Sequence, residues 1–256
     1  MLTKQDVFDM LQKFGISHSD TVLMHTSLKA IGEIEGGAEK MLDAFCEYLY
    51  DGLYIVPTQT WGYIGRDNPC FDVRQSMPSI GTYPTLCAKA VFKKENAARS
   101  LHCTHSVAVF GKGAAEFVKG ESEQNSRTSS LWHRLYDAKA KILLVGVGQE
   151  KNTYIHAIDE EVNGPRATPP FTARITDADG NTVLQRMLYC NGWWKAENFH
   201  KFDPLLKYCG AENEGVLGCA RVICCDAAKT HDAVIALCKN QTDRKNFIKG
   251  DVPETL

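Results

Sequence analysis

Short runs of apolar residues alternate along this chain with longer stretches in which apolar residues return at helical spacing. Thr3 and Asp6 form a T-x-x-D capping box ahead of the amphipathic VFDMLQKFG, with Gly15 placed to end the helix. DTVLMH, residues 20–25, reads as a short buried strand; Gly36 and Gly37 lead into a helix over AEKMLDAFCEYLY, and GLYIVP reads as the next strand. The same rhythm predicts a helix over TYPTLCAKAVFKK, a strand over SVAVFG, and a helix over SLWHRLYDA capped by Ser129 or Ser130. KILLVG is a further buried strand, GVLGCARVICC is read as one strand, and DAAKTHDAVIALCKNQ as an amphipathic helix before a loosely held tail. Strands and helices in this order predict an α/β fold.

Two stretches break the rhythm. Residues 58–79 carry glycines, prolines and aromatics with no steady period, which marks an ordered, ligand-facing loop. FTARITDADGNTVLQRMLYC holds two strand-like runs around the turn signal DADGN, and WWKAENFHKF follows. Residues 165–202 are therefore read as a small excursion within a single domain spanning 1–256, serving either to wall off a substrate cleft or to cover a sheet edge.

Composition narrows the function. With 256 residues, 44% of them hydrophobic and 23% charged, the chain can bury one sizeable core. A net charge of -2 leaves no basic footprint for nucleic acid. No run of eighteen apolar residues and no signal-peptide layout is present, so a soluble, cytoplasmic protein without a membrane partner is expected, as monomer or homodimer. The ten cysteines include no C-x-x-C pair, a pattern of reduced thiols rather than of disulfides or structural zinc.

Candidate chemistry gathers in KILLVGVGQEKNTYIHAIDEE, which reads as strand, turn and helix. If Asn152 or Thr153 caps the helix, His156 and Asp159 share a face, and a carboxylate touches an imidazole at the mouth of a buried strand. That pairing suits a general base. His25, Thr26 and Ser27 stand where the first strand ends, the place where open α/β sheets meet ligands, although Thr26 and Ser27 also suit a simple cap. Asp67 and Asp72 in the long loop could face a cationic ligand, although each on its own is more often a turn residue. Arg99 is a candidate phosphate ligand, although a lone loop arginine is usually a surface charge, and the H-x-x-H of His102 and His105 is a weak metal signal.

HTSLKAIG with a following GG, then VPT, a P-S-x-x-G loop (Pro78, Ser79, Gly81), RSLHxxHSVAVFG, and KILLVGVGxxxNTYIHAIDE occur in the order seen in the aminoglycoside 3-N-acetyltransferase family, and the chain resembles that family over roughly residues 20–165. The resemblance implies a three-layer, non-GNAT α/β fold, acetyl-coenzyme A as co-substrate without a metal, and an aminoglycoside or similar amine as acceptor. It implies His156 as the residue that deprotonates the amine. Asp159 stands where the family motif carries glutamate, so either Asp159 or Glu160 steadies the imidazole. His25, Thr26 and Ser27 match the motif near the thioester, with His25 counted in the catalytic set. Arg99, Ser100 and His102 match the motif beside the coenzyme, and Gly148, Asn152 and Thr153 complete the residues expected to hold it. Cys103 and Thr85 depart from the usual proline and glutamate. Two rival readings are a metal-dependent hydrolase using His102, His105, His156 and Asp159, and a coenzyme-binding protein without transferase activity.

Overall fold

The computed structural model describes residues 1–121, 130–164, 166, 169–187 and 192–255. The alternative cap Ser129, Cys190, and Pro165 at the start of the excursion lie outside the described residues. In chain order the elements are α1 (Lys4–Lys13), β1 (Thr21–Thr26), α2 (Leu28–Ile31), α3 (Gly37–Tyr48), β2 (Leu53–Pro57), β3 (Cys70–Asp72), α4 (Thr82–Ala90), β4 (Ala97–Arg99) and β5 (Val107–Gly111). Next come α5 (Ala114–Phe117), α6 (Leu131–Arg134), β6 (Lys141–Val145), α7 (Thr153–Asn163), β7 (Phe171–Thr176), β8 (Thr182–Met187), α8 (Asp203–Tyr208), β9 (Glu212–Leu217), β10 (Ala220–Asp226) and α9 (Ala227–Lys239). Short 3-10 turns at Gln149–Lys151 and Ala196–Phe202 precede α7 and α8.

Seven strands form the main sheet in the order β4-β5-β2-β1-β6-β10-β9. Side-chain alternation along the central strands sends each strand's residues to two different cores. Leu23, Ile55, Ile142 and Leu144 pack with Trp132, Ile155, Ile158, Leu205 and Val234. Val22, Met24, Tyr54, Val56, Leu143 and Val145 pack with Leu11, Leu42, Phe45 and Tyr83. Helices α1, α3 and α4 thus cover one face and α6 to α9 the other, which makes a three-layer α/β fold. Strands covered on both faces have no polar alternate positions, and this is why VLM, YIV and ILLV read as unbroken apolar runs.

β1 lies parallel to β2 on one side and to β6 on the other, while β5 and β10 run antiparallel to β2 and β6. The chain therefore leaves β1 in one direction along the sheet and later returns on its opposite flank. Such a reversal opens a crevice at the carboxyl ends of the parallel strands.

Three sequence expectations are corrected. GVLGCARVICC is not one strand but the paired halves of β9 and β10, turning at Gly218 and Cys219. The loop from 58 to 79 contributes β3, which pairs in parallel with β7 of the 171–187 hairpin; β3, β7 and β8 form a separate three-stranded sheet over Ile64, Phe71, Val73 and Ile175. The SLWHRLYDA helix is a single turn, α6, with Ser130 as its cap accepting from the Trp132 N–H. Among the described residues no helix is long and apolar enough to cross a membrane.

Candidate active site

Two short connections bring the polar residues to the crevice. Thr26 ends β1, and Ser27 starts α2 directly, its N–H held by the Val145 carbonyl at the end of β6. β6 breaks at Gly146, whose φ of 65° lies in the left-handed region and whose added β-carbon would fall 2.2 Å from the Ala30 Cβ. Only glycine lets α2 approach the end of β6 this closely. The chain then enters α7, capped by Asn152, whose side-chain oxygen accepts from the Tyr154 N–H. The Asn152 amide in turn donates to Gln149, and Gln149 donates to Glu212 on β9. The N-terminus of α7 is thereby tied to the sheet.

Between these ends and the segment around Gly192 lies a cleft of about 960 Å³, bordered by His25, Thr26, Ser27, Thr153 and His156. His156, on α7, packs edge-on against Phe199 with ring centroids 4.7 Å apart. Asp159 is fully buried one turn on. Its Oδ2 accepts from the Trp194 N–H at 2.8 Å and its Oδ1 from the Asn163 amide at 2.9 Å. A β-carbon added at Gly192 would stand 2.4 Å from Asp159 Oδ2 and 2.9 Å from His156 Nδ1. The carboxylate and the imidazole thus face the same small space, with the backbone of Gly192 closing it. Glu160 is also buried, at 2% exposure.

At the β1 end, His25 Nε2 and Thr26 Oγ1 are buried and have no hydrogen-bond partner among the described residues. Unpaired buried polar atoms at the edge of a cleft mark groups available to a ligand or water. Burial, helped by the charge of Lys151, pulls the His25 imidazole down to about 3. The ring is therefore drawn toward its neutral form, at the end of the strand where the sequence placed it. Thr153 accepts from Gln59, and Gln59 accepts from the Trp61 indole, so the start of the long loop is hinged to α7.

The R-S-x-H residues are not in the cleft. Arg99 is 4% exposed and donates to Thr58 Oγ1, the Thr58 and Val73 carbonyls and Ser106 Oγ, with its guanidinium over the Phe71 ring. Burial draws its pKa down to about 10, so it stays charged at neutral pH, but its donors are already engaged inside the protein and the expected phosphate contact is corrected. Ser100 Oγ accepts from the Val107 N–H, and His102 Nδ1 accepts from the N–H groups of Thr104 and His105. This buried turn delivers Thr104 and His105, not His102, to the cleft wall. Among the described residues no three His, Cys, Asp or Glu side chains are grouped as metal ligands.

Asp72 takes the turn role rather than the ligand role, its Oδ1 accepting from the Arg74 and Gln75 N–H groups. Asp67 is exposed and borders a separate depression of about 320 Å³. Gly148 lies beside the cleft without lining it, its N–H donating to Glu150. Sequence reasoning missed Gly192 and Trp194, whose only trace is the NGWW run in the excursion. It also missed His105 as a cleft residue, where its position just before a buried strand is the available signal.

The profile of the aminoglycoside 3-N-acetyltransferase family matches residues 23–239, and the chain belongs to that family. The SPbeta prophage-derived aminoglycoside N(3')-acetyltransferase-like protein YokD of Bacillus subtilis (strain 168) is 25% identical over 178 residues, covering 62% of this chain and 65% of that protein. Over 218 residues the chain is 24% identical to the aminoglycoside N(3)-acetyltransferase IV of Salmonella sp, covering 84% of this chain and 79% of that protein. In its fold the chain is similar to a mutant of aminoglycoside acetyltransferase AAC(3)-IVa in complex with a gentamicin (TM-score 0.76, 22% identity, 93% of this chain and 89% of that one). It is also similar to AAC-IIIb in a binary complex with CoASH (TM-score 0.74, 15% identity, 90% of this chain and 94% of that one).

Proposed function

We propose that this protein transfers an acetyl group from acetyl-coenzyme A to an amine of an aminoglycoside or similar acceptor, with His156 as general base. The observation that carries this reading is that His156, on the wall of a ligand-sized cleft, and the buried Asp159 turn Nδ1 and Oδ2 toward the same small space closed by Gly192. The family and the binary complex of a fold relative with CoASH support the donor. The orphaned His25 Nε2 and Thr26 Oγ1 suit a bound ligand at the β1 end.

Acetyl-coenzyme A supplies the acetyl group and a thiolate leaving group. An aliphatic amine is protonated at neutral pH, and an imidazole with an ordinary pKa near ~6.5 is suited to take the proton as nitrogen attacks. His156 accepts that proton while the new N–C bond forms and the C–S bond breaks, and passes it to the departing sulfur. Asp159, fixed by Trp194 and Asn163, holds the ring's orientation and favours its transient charge. Thr26 Oγ1 is the donor offered to the carbonyl oxygen as it gains charge.

The test is His156→Ala, assayed by release of free thiol and by calorimetric binding of acetyl-coenzyme A. Turnover is expected to fall by about 10²- to 10⁴-fold with donor binding retained. Turnover close to that of the parent protein removes His156 from the mechanism.

A further inference from the structure

The two donors that grip Asp159 are themselves held by a segment far along the chain. Asp159 Oδ1 accepts from the Asn163 amide at 2.9 Å and Oδ2 from the Trp194 N–H at 2.8 Å. Both of these residues also donate to a single acceptor, the Arg244 carbonyl: the Trp194 indole at 2.7 Å and the Asn163 amide at 3.4 Å. A primary amide has two N–H groups and a carbonyl oxygen two lone pairs, so all four bonds can be made at once. One backbone oxygen thereby joins the last residue of α7 to the Gly192–Trp194 segment, on either side of the buried carboxylate.

Arg244 lies beyond α9, in a stretch from 242 to 250 that is mostly exposed and does not line the cleft. Exposed terminal segments order only where something ties them down, and this one is tied at several points. The Arg244 Nε donates at 3.1 Å to the Cys238 carbonyl at the end of α9. Phe247 stands edge-on to the Trp194 ring with centroids 5.5 Å apart, and Ile248 is buried. Lys201 Nζ donates to the carbonyls of Ile248, Lys249 and Gly250. Lys245 covers the Trp193 ring at 3.9 Å, so the residue after Gly192 is clasped as well. The contacts of the segment thus converge on the residues that hold Asp159.

Resting on the acetyl-transfer reading, we propose that residues 244–248 are a positioning element for that reaction: the Arg244 carbonyl and the Phe247 ring set Asn163 and Trp194 so that the Asp159 carboxylate is aimed at His156. A carboxylate with a donor on each oxygen cannot turn without breaking a bond, and Oδ2 keeps a lone pair for the space that His156 Nδ1 also faces. Loosening the segment slackens both donors together. The imidazole then loses its fixed orientation and part of the support for its transient charge. The β1 end of the cleft, where His25 and Thr26 stand, is untouched, so the effect falls on kcat rather than on the donor.

The experiment makes Asn163→Ala and Phe247→Ala, each in the parent protein and in Asp159→Ala. Asn163 ends α7 and alanine is the better helix former, so the first variant tests the link without an expected folding cost. In the parent protein each should lower kcat about 10- to 100-fold in the free-thiol assay with gentamicin, with the acetyl-coenzyme A KM held. In Asp159→Ala neither should lower kcat further, because the group they act through is gone, a pattern that simple loss of stability does not produce. NMR titration of the His156 ring gives a readout that needs no turnover. A nearby carboxylate favours the charged ring, so both variants should lower its midpoint in the parent protein and leave it unmoved in Asp159→Ala. The proposal is overturned if Phe247→Ala lowers thermal stability with kcat and the midpoint unchanged, or if either variant costs the same factor in kcat with and without Asp159. Midpoints that shift as expected, with no acetyl transfer to gentamicin by the parent protein, would support the positional link and count against the transferase reading. Acetyl transfer with unmoved midpoints would do the opposite.

Discussion

Gly192 has no side chain beside the space that His156 Nδ1 and Asp159 Oδ2 both face, and the reason is room. A methyl group there would sit 2.4 Å from a carboxylate oxygen that already accepts from the Trp194 N–H at 2.8 Å. The backbone of residues 192–194 comes in close to meet this acid. Gly192→Ala is expected to push the loop or the carboxylate away and to lower kcat by about 10²-fold, the size of effect that a 1 Å misplacement produces. The acetyl-coenzyme A KM should move little. A variant with unchanged kcat would show that the loop does not position the pair. His156 and Asp159 were legible in the sequence because one helix carries both at a spacing of three. Gly192 and Trp194 were not, because contact with α7 is made across a turn of chain whose local pattern says only that it departs from the βα rhythm.

At the scale of elements, the segment from β4 to β5 was legible as a motif and misassigned in its chemistry. A guanidinium and two imidazoles ahead of a strand look like ligand contacts when written in a line. In three dimensions Arg99 joins the two sheets: it reaches Thr58 just past β2, Val73 just past β3, and the Phe71 ring on β3. Local sequence cannot reveal this, because every acceptor lies on another segment. Arg99→Ala leaves the Thr58 and Val73 carbonyls without this buried partner and removes the link to β3, β7 and β8. A loss of about 2–4 kcal/mol in unfolding free energy is expected from the several charge-assisted bonds involved. The KM for acetyl-coenzyme A should stay near that of the parent protein in any fraction that remains folded. A rise in donor KM at unchanged stability would restore Arg99 to the coenzyme. The β9-β10 hairpin was missed for a related reason: Gly218 and Cys219 are embedded between apolar residues, and nothing polar marks the turn.

For the molecule as a whole, the parallel centre of the sheet was legible and its antiparallel margins were not. Strands buried on both faces announce themselves as apolar runs, whereas the direction of β5 and β10 depends on partners far away in the chain. Those margins reach the site through Gln149, which donates to Cys225 Sγ on β10 and to a buried acid on β9. Glu212 on β9 accepts from Gln149, which holds Asn152, the cap of the helix that carries His156. Burial first, and the charge of Asp203 second, push the Glu212 carboxyl up to about 7, against the Gln149 hydrogen bond and Lys207 at 3.9 Å. A carboxyl whose pKa is raised on folding favours the native state in its protonated form. That contribution is fully present below the ordinary value of 4.5 and is lost as pH rises through about 7. Glu212→Gln keeps an amide in the network and cannot ionise, so its thermal unfolding midpoint should pull ahead of the parent protein's as pH is raised from 4.5 to 7.5. Parallel midpoints across that range would mean that Glu212 titrates in the folded protein as it does in the unfolded chain, and that the chain of contacts from β9 to α7 carries no proton-linked strain.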